Sequence, residues 1–434
     1  MRRLLFFTLL VLAGLLLACL SLAQDRKSVH WAQVDGVINP AVAEYLVKAV
    51  DSAAEEKAEA LVIELDTPGG LDPSMRTIVK RILSAEIPVV VYVHPTGARA
   101  ASAGVFILYA SHVAAMSPGT NMGAAHPVSM GKEMDETMSA KVTNDSVAYV
   151  RSIAAKRGRN VQWAEDAVRK SVSITADEAV KLGVVDLVAE TRNELLEKID
   201  GREVEVLSGK VTLHTKGADI AERPMGLRQK ILDRISDPNI AYILMMIGIY
   251  GIFFELSNPG LIFPGVVGGI CLLLAFFAFQ TLPVNYAGVA LIILGVIFFI
   301  AEIMVISYGL LAIGGVIAIT MGSLMLFESP EPWLRISWQV LLPSLIGTLL
   351  FFGTLVFLAV KGQTRKPVSG KEGMIGEHGV AQTDLAPSGQ VFVHGEIWQA
   401  EADTGEVHAG DSVEITGIEG LHLKVKKLRV KEES

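Results

Sequence analysis

Leu61-Val62-Ile63-Glu64-Leu65 runs directly into Asp66-Thr67-Pro68-Gly69-Gly70, and about thirty residues later stands Gly97-Ala98-Arg99-Ala100-Ala101-Ser102-Ala103-Gly104. The first piece reads as a short buried strand ending in a turn, with a helix from Asp72. The second follows another apolar strand, Pro88 to Val93, and opens a small-residue helix from Ser102. Working outward, Ser28 to Val37 is a strand, Asn39 caps a helix with Pro40 at its first position, and His112 to Met116 is a strand. Thr175 with Glu178 forms a capping box, and Gly183 closes that helix. Strands alternating with helices predict an α/β domain over residues 25–215.

Both glycine-containing loops follow strands, and in a parallel sheet ligands bind at the carboxyl ends of the strands. Tiny neighbours let a peptide approach the Ser102 hydroxyl. The helix start offers free N–H groups and positive dipole charge to a developing oxyanion. Each loop alone also fits an ordinary close-packed turn. Together they are more specific.

With 434 residues, the chain has room for two or three domains. Charged residues are only 19 % and the mean hydropathy is +0.44, which points to membrane segments. A formal net charge of -8 argues against a nucleic-acid surface. Cys19 and Cys271 both lie in apolar runs, so no disulfide framework or thiolate metal site is expected.

Met1-Arg2-Arg3 followed by an apolar run to Leu22 predicts a signal peptide over residues 1–23, cleaved near Ala23. An uncleaved anchor ranks second. Leu16-Leu17-Ala18-Cys19 loosely resembles a lipoprotein box, with Cys19 as the lipidated residue. All three place the α/β domain outside the cytoplasm.

Residues 216–238 read as a linker and 239–360 as a transmembrane region of about five spans. The candidates are Ile240 to Leu256, Leu261 to Leu282, Ala287 to Ile306, Leu310 to Phe327 and Val340 to Val360. The first and fourth are near the short limit. Glu255, Pro259 and Gly260 interrupt the apolar pattern as a re-entrant turn would. Glu302, with Gly309 and Gly314-Gly315, gives a weaker echo, a loose internal repeat. Glutamates in apolar surroundings fit a functional role, and equally helix-end residues reaching the interface, which is the reading preferred for both. Lys361, Arg365, Lys366 and Lys371 put the following side in the cytoplasm. Arg223, Arg228, Lys230 and Arg234 run against this, but a long translocated domain largely escapes the rule.

Residues 370–434 return to soluble composition. Short alternating strands separated by Gly389, Gly395, Gly405, Gly410, Gly417 and Gly420 predict a small OB-like barrel. Its basic residues gather at the end (Lys424, Lys426, Lys427, Arg429, Lys431). Aromatic residues are few, chiefly Phe392 and Trp398, so protein interaction is expected rather than nucleic-acid binding.

The paired loops, the run Met116 to Val128, Glu255-Leu256 with Pro259-Gly260 and Pro264-Gly265, and the tail together resemble the NfeD membrane serine proteases. These are relatives of the Clp proteolytic subunit and of signal peptide peptidase A. The resemblance covers nearly the whole chain. It implies a Clp/crotonase-like α/β domain, an α-helical transmembrane bundle and an all-β OB-like barrel. It also implies Ser102 as nucleophile, with the Gly69, Gly70 and Ala103 amides as the oxyanion hole. The family is described as using a Ser-Lys dyad with the lysine about forty residues after the serine, which Lys141 matches. A lysine base must be neutral, so burial is expected, with the helix Val147 to Ala155 as an apolar wall. Lys132 is a poorer candidate. His126, 24 residues after Ser102, is the alternative base or a pocket residue, with Asp135, Asp145 or Asp166 to orient it.

The function so implied is a membrane-anchored serine endopeptidase, working as a homo-oligomer. It would cleave membrane-associated partners, with apolar segments of a stomatin-like SPFH protein as the expected targets. The alternative is a catalytically silent membrane scaffold for such a partner. A crotonase-like enzyme acting on acyl thioesters is a third reading. No nucleotide-binding loop or metal-ligand cluster is apparent, so no cofactor is expected.

Overall fold

The computed structural model describes residues 28–128, 135–257, 260, 262–305, 307, 309–327, 329, 332–363 and 371–428. Residues 1–23, where a signal peptide was expected, Cys19 and Lys132 lie outside these. The chain forms two compact units, Met1–Phe298 with Ile313–Gly347, and Phe299–Ala312 with Thr348–Ser434.

In the first unit, β1 (Ser28–Asp35) leads to helix α1 (Pro40–Glu55), capped by Asn39, whose side chain accepts from the Val42 amide. Then come β2 (Ala60–Asp66), α2 (Asp72–Leu83) and β3 (Val89–Val93). Almost every residue of β2 and β3 is buried, as a strand covered on both faces requires. A three-residue strand, β4 (Arg99–Ala101), precedes α3 (Ala103–Ala110), β5 (Val113–Met116) and β6 (Asn121–Gly123). There follow α4 (Glu136–Arg157), α5 (Val161–Arg169), β7 (Ser173–Thr175), α6 (Ala176–Lys181), β8 (Leu187–Val188) and α7 (Arg192–Ile199). The hairpin of β9 (Glu203–Val206) and β10 (Gly209–Thr212) closes this series.

Residues expected to be a linker instead continue the domain. β11 (Asp219–Glu222) pairs in parallel with β1. Helix α8 (Leu227–Ile235) lies on α1, where Asn39 Nδ2 donates to Asp233 Oδ1 (2.8 Å) and Arg228 donates to Glu44 (3.0 Å). The main sheet has the order β11-β1-β2-β3-β5-β8, all parallel. One face carries the core of Leu46, Ile78, Val79 and Ile107, the other that of Trp31, Val62, Tyr92 and Leu195. The strands β4, β6 and β7 form a second, small sheet.

The apolar region contains α9 (Pro238–Ser257), α10 (Ile262–Phe279), α11 (Tyr286–Met304), α12 (Leu310–Met325) and α13 (Trp338–Gln363). Pro238–Leu256 and Ile262–Phe279 are each long and apolar enough to cross a bilayer; the apolar stretches of the other three are shorter. The first candidate helix is therefore longer than its sequence reading, because it starts at Pro238. Glycines seam the helices in pairs. A Cβ on Gly251 would stand 2.9 Å from the Gly268 Cα, and one on Gly288 2.8 Å from the Gly322 carbonyl. Such contacts let backbones approach where lipid supplies no hydrophobic drive between helices.

In the second unit, Glu302 does not reach out to an interface. Its carboxylate accepts from the Gly309 amide (2.9 Å) and the Ala312 amide (3.0 Å), satisfying the start of α12. After the short helix α14 (Lys371–Met374), the tail forms β12 (His378–Ala381), β13 (Ser388–Val393), β14 (Glu396–Thr404), β15 (Ser412–Glu419) and β16 (His422–Lys427). They close in the order β12-β13-β14-β16-β15, with β14 and β16 parallel, around Val391, Val393, Ile415 and Val425. This is the OB-like barrel the glycine spacing predicted.

Candidate active site

Ser102 stands where β4 turns into α3, at φ 50° and ψ −111°. That is a sparsely populated conformation for a residue with a Cβ, and it is held from several sides. The Ser102 amide donates to the Gly123 carbonyl (3.1 Å), the Ala101 amide to the Thr67 carbonyl (3.0 Å), and the Thr67 amide to the Arg99 carbonyl (2.8 Å). The Ser102 side chain makes no capping bond to α3, so its hydroxyl is not consumed by the helix.

The glycine turn packs directly on this serine. A Cβ on Gly69, whose φ is +127°, would lie 2.7 Å from the Ser102 Cβ and 3.1 Å from its Oγ. One on Gly70 would meet the Ile38 carbonyl oxygen at 2.2 Å. Gly70→Ala is therefore expected to destabilise the domain by about 1–3 kcal/mol and to displace the turn. Denaturant unfolding checks this; an unaltered midpoint would contradict it.

Of the three amides expected in an oxyanion hole, that of Gly69 is already engaged, donating to Thr67 Oγ1 (3.0 Å). The buried threonine sits two residues before its partner and closes a local side-chain turn. The bridge between Ile38 and Gly70 uses the Gly69 carbonyl and the Leu71 amide, so the Gly70 N–H points away from Ile38. Ala103 is the first residue of α3, and its N–H has no intrahelical partner. Gly70 and Ala103 are the amides left available.

A cavity of about 770 Å³ opens over the serine, lined by Ser102, Ala103, Gly70, Leu71, Phe106 and Lys141 among others. Lys141 lies early in α4, whose start is fixed by Asp135 accepting from the Met138 amide (2.8 Å). The expected burial of this lysine is not seen: Lys141 is exposed to the cavity. Val147, Val150 and Ile153 turn into the core beneath α4 and give it no apolar wall. Its neighbour Asp145 is paired with Arg76 (2.5 Å), which also bonds Asp72 and lies over the Tyr149 ring. Burial works against the Arg76 charge, but bonding to Asp72 and Asp145 outweighs it and raises its pKa.

His126 is turned elsewhere. Its Nδ1 lies 2.9 Å from the Val168 carbonyl, which can only accept, so Nδ1 carries the proton. The ring does not line the cavity, although Ala125 and Pro127 do. None of the three carboxylates expected to orient it is joined to it: Asp135 caps α4, Asp145 holds Arg76 and Asp166 holds Lys170 (3.0 Å). Among the described residues, no group of three or more His, Cys, Asp or Glu side chains could hold a metal ion.

A strained serine beside a glycine turn, on an α/β domain continuous with apolar helices and followed by a closed barrel, defines a class of membrane protein. Three family models match it: NfeD1b, N-terminal domain, over residues 28–208; NfeD integral membrane domain, over 239–360; and NfeD-like C-terminal, partner-binding domain, over 371–427. The chain is 36 % identical to the membrane-bound protease PH1510 of Pyrococcus horikoshii over 442 residues, spanning 99 % of each. It is 27 % identical to the membrane protein NfeD1b of Bacillus subtilis, over 96 % of this chain and 97 % of that one. A solved structure of the 1510-N membrane protease specific for a stomatin homolog from Pyrococcus horikoshii is 37 % identical, covering 49 % of this chain and 99 % of that one, with a TM-score of 0.43. The chain belongs to the NfeD family.

Proposed function

We propose that the chain is a membrane-anchored serine endopeptidase that cleaves a membrane-associated partner of the stomatin-like SPFH class. The observation that carries this reading is Ser102, held in a strained turn against Gly69 and facing a cavity that Lys141 also lines. Ser102 Oγ attacks the peptide carbonyl while Lys141 Nζ takes the hydroxyl proton. The Gly70 and Ala103 amides hold the oxyanion. The lysine then gives the proton to the departing amine, and water releases the acyl group by the same route. A bound apolar peptide covers the exposed lysine and supplies the burial that the free site lacks. His126 is kept as the alternative base.

In this reading residues 1–23 direct export, the α/β domain works outside the cytoplasm as a homo-oligomer, and the barrel lies inside. The full chain incubated with a stomatin-like protein should generate discrete fragments, and a fluorophosphonate should stop it. An intact partner after prolonged incubation would contradict the proposal and favour the silent scaffold.

The barrel supports the partner half of the proposal. Val380 pairs with Phe392 and Phe392 with Ile397 across β12, β13 and β14, and all three are exposed. This outward apolar row, in a domain matched as partner-binding, is the surface we assign to the stomatin-like protein. Phe392→Glu should weaken that association by roughly tenfold or more while the inward Val391 and Val393 keep the barrel folded. Equal affinity for both chains, measured by surface-immobilised binding, would rule the row out.

A further inference from the structure

We infer that the substrate cavity is built jointly by the α/β domain and the ends of the membrane helices, and that Trp333 is a specificity-determining residue within it. This rests on the reading of Ser102 given above and deepens it. The cavity holding Ser102 and Lys141 does not end at the α/β domain. Its far wall is made by Pro238 at the start of α9, Thr281 and Leu282 just after α10, and Trp333 and Leu334 just before α13. These residues are distant in sequence and share one property: each stands where a membrane helix begins or ends.

Two sets of contacts fix the wall in place. Helix α8 is bonded to α1 through Asp233 and Arg228, and only Ser236 and Asp237 separate it from α9. The Ser337 amide donates to Asn239 Oδ1 (2.7 Å), tying the segment that carries Trp333 to the start of α9. On the other side, the Arg99 guanidinium lies 5.8 Å from the centroid of the Trp333 ring, within cation–π range. Arg99 belongs to β4, the strand that delivers Ser102, and its amide donates to Asp66 Oδ1 (3.0 Å). One strand thus positions the nucleophile and grips the aromatic wall.

A chain entering this cavity meets Leu71 and Phe106 on one side and Leu282, Trp333 and Leu334 on the other. It does so at the level where helices leave the bilayer. The substrate that fits is an apolar segment directly adjoining a membrane span.

The test uses the full chain in lipid nanodiscs and a fluorogenic apolar peptide attached to a transmembrane anchor. Trp333→Ala should raise KM about tenfold, with a much smaller fall in kcat, because an aromatic contact made in binding is lost. Trp333→Phe should recover most of that affinity, which a purely structural defect would not show. A KM equal to wild type in both variants overturns the joint cavity alone. A Ser102→Ala chain that cleaves as fast as wild type overturns the serine reading, and this inference with it.

Discussion

Ser102→Ala is expected to lower kcat/KM by at least roughly 10³-fold, because removing the nucleophile leaves only binding and the oxyanion amides to act. The fold should survive. The Ser102 hydroxyl makes no capping bond to α3, and alanine bears the same positive φ at no greater strain than serine does. The backbone bonds to Gly123 and Val105 are untouched by the change. The midpoint of thermal unfolding should therefore stay close to that of wild type while fragments of the partner disappear. Cleavage at even a tenth of the wild-type rate would remove Ser102 from the mechanism.

Lys141→Ala should cost about 10²–10⁴-fold in kcat, the range of a lost general base. Lys141→Arg should not restore it, since a guanidinium does not give up its proton and cannot accept one. That pair separates a proton acceptor from a simple positive charge in the cavity. His126→Ala should change kcat by less than about tenfold, because the ring is bonded to Val168 and lies outside the cavity lining. Its cost should appear in stability, where the link between the loop and α5 is broken. The reverse pattern, a severe loss at His126 and a mild one at Lys141, would reassign the base.

The architecture was legible where burial is continuous or periodic. The almost wholly buried β2, the buried β3, the capped α1 and the glycine-spaced barrel strands were readable from the order of residues alone. The strands β4, β6 and β7 were not, because three residues are too few to show a period of two. Asp219-Ile220-Ala221-Glu222 reads as linker because an edge strand with two polar ends offers little pattern; its place comes from its tertiary pairing with β1. Ser102 stood out because small residues on both sides of a serine have a steric purpose.

The finer site depends on side-chain choices that sequence does not carry. Thr67 occupies the Gly69 amide through a rotamer, and Val168 turns His126 aside from another helix. Lys141 is exposed because α4 buries side chains only from Ser146 onward and not before. Trp333 carries no motif. Its relevance follows from its place in the cavity wall and from the approach of Arg99, more than two hundred residues earlier.

The most direct measurement is covalent trapping. The full chain in detergent is treated with a fluorophosphonate, digested, and mapped by mass spectrometry. The account predicts a single phosphonate adduct on the peptide containing Ser102, absent from the Ser102→Ala chain. No adduct, or an adduct on a different serine that persists in Ser102→Ala, would contradict it.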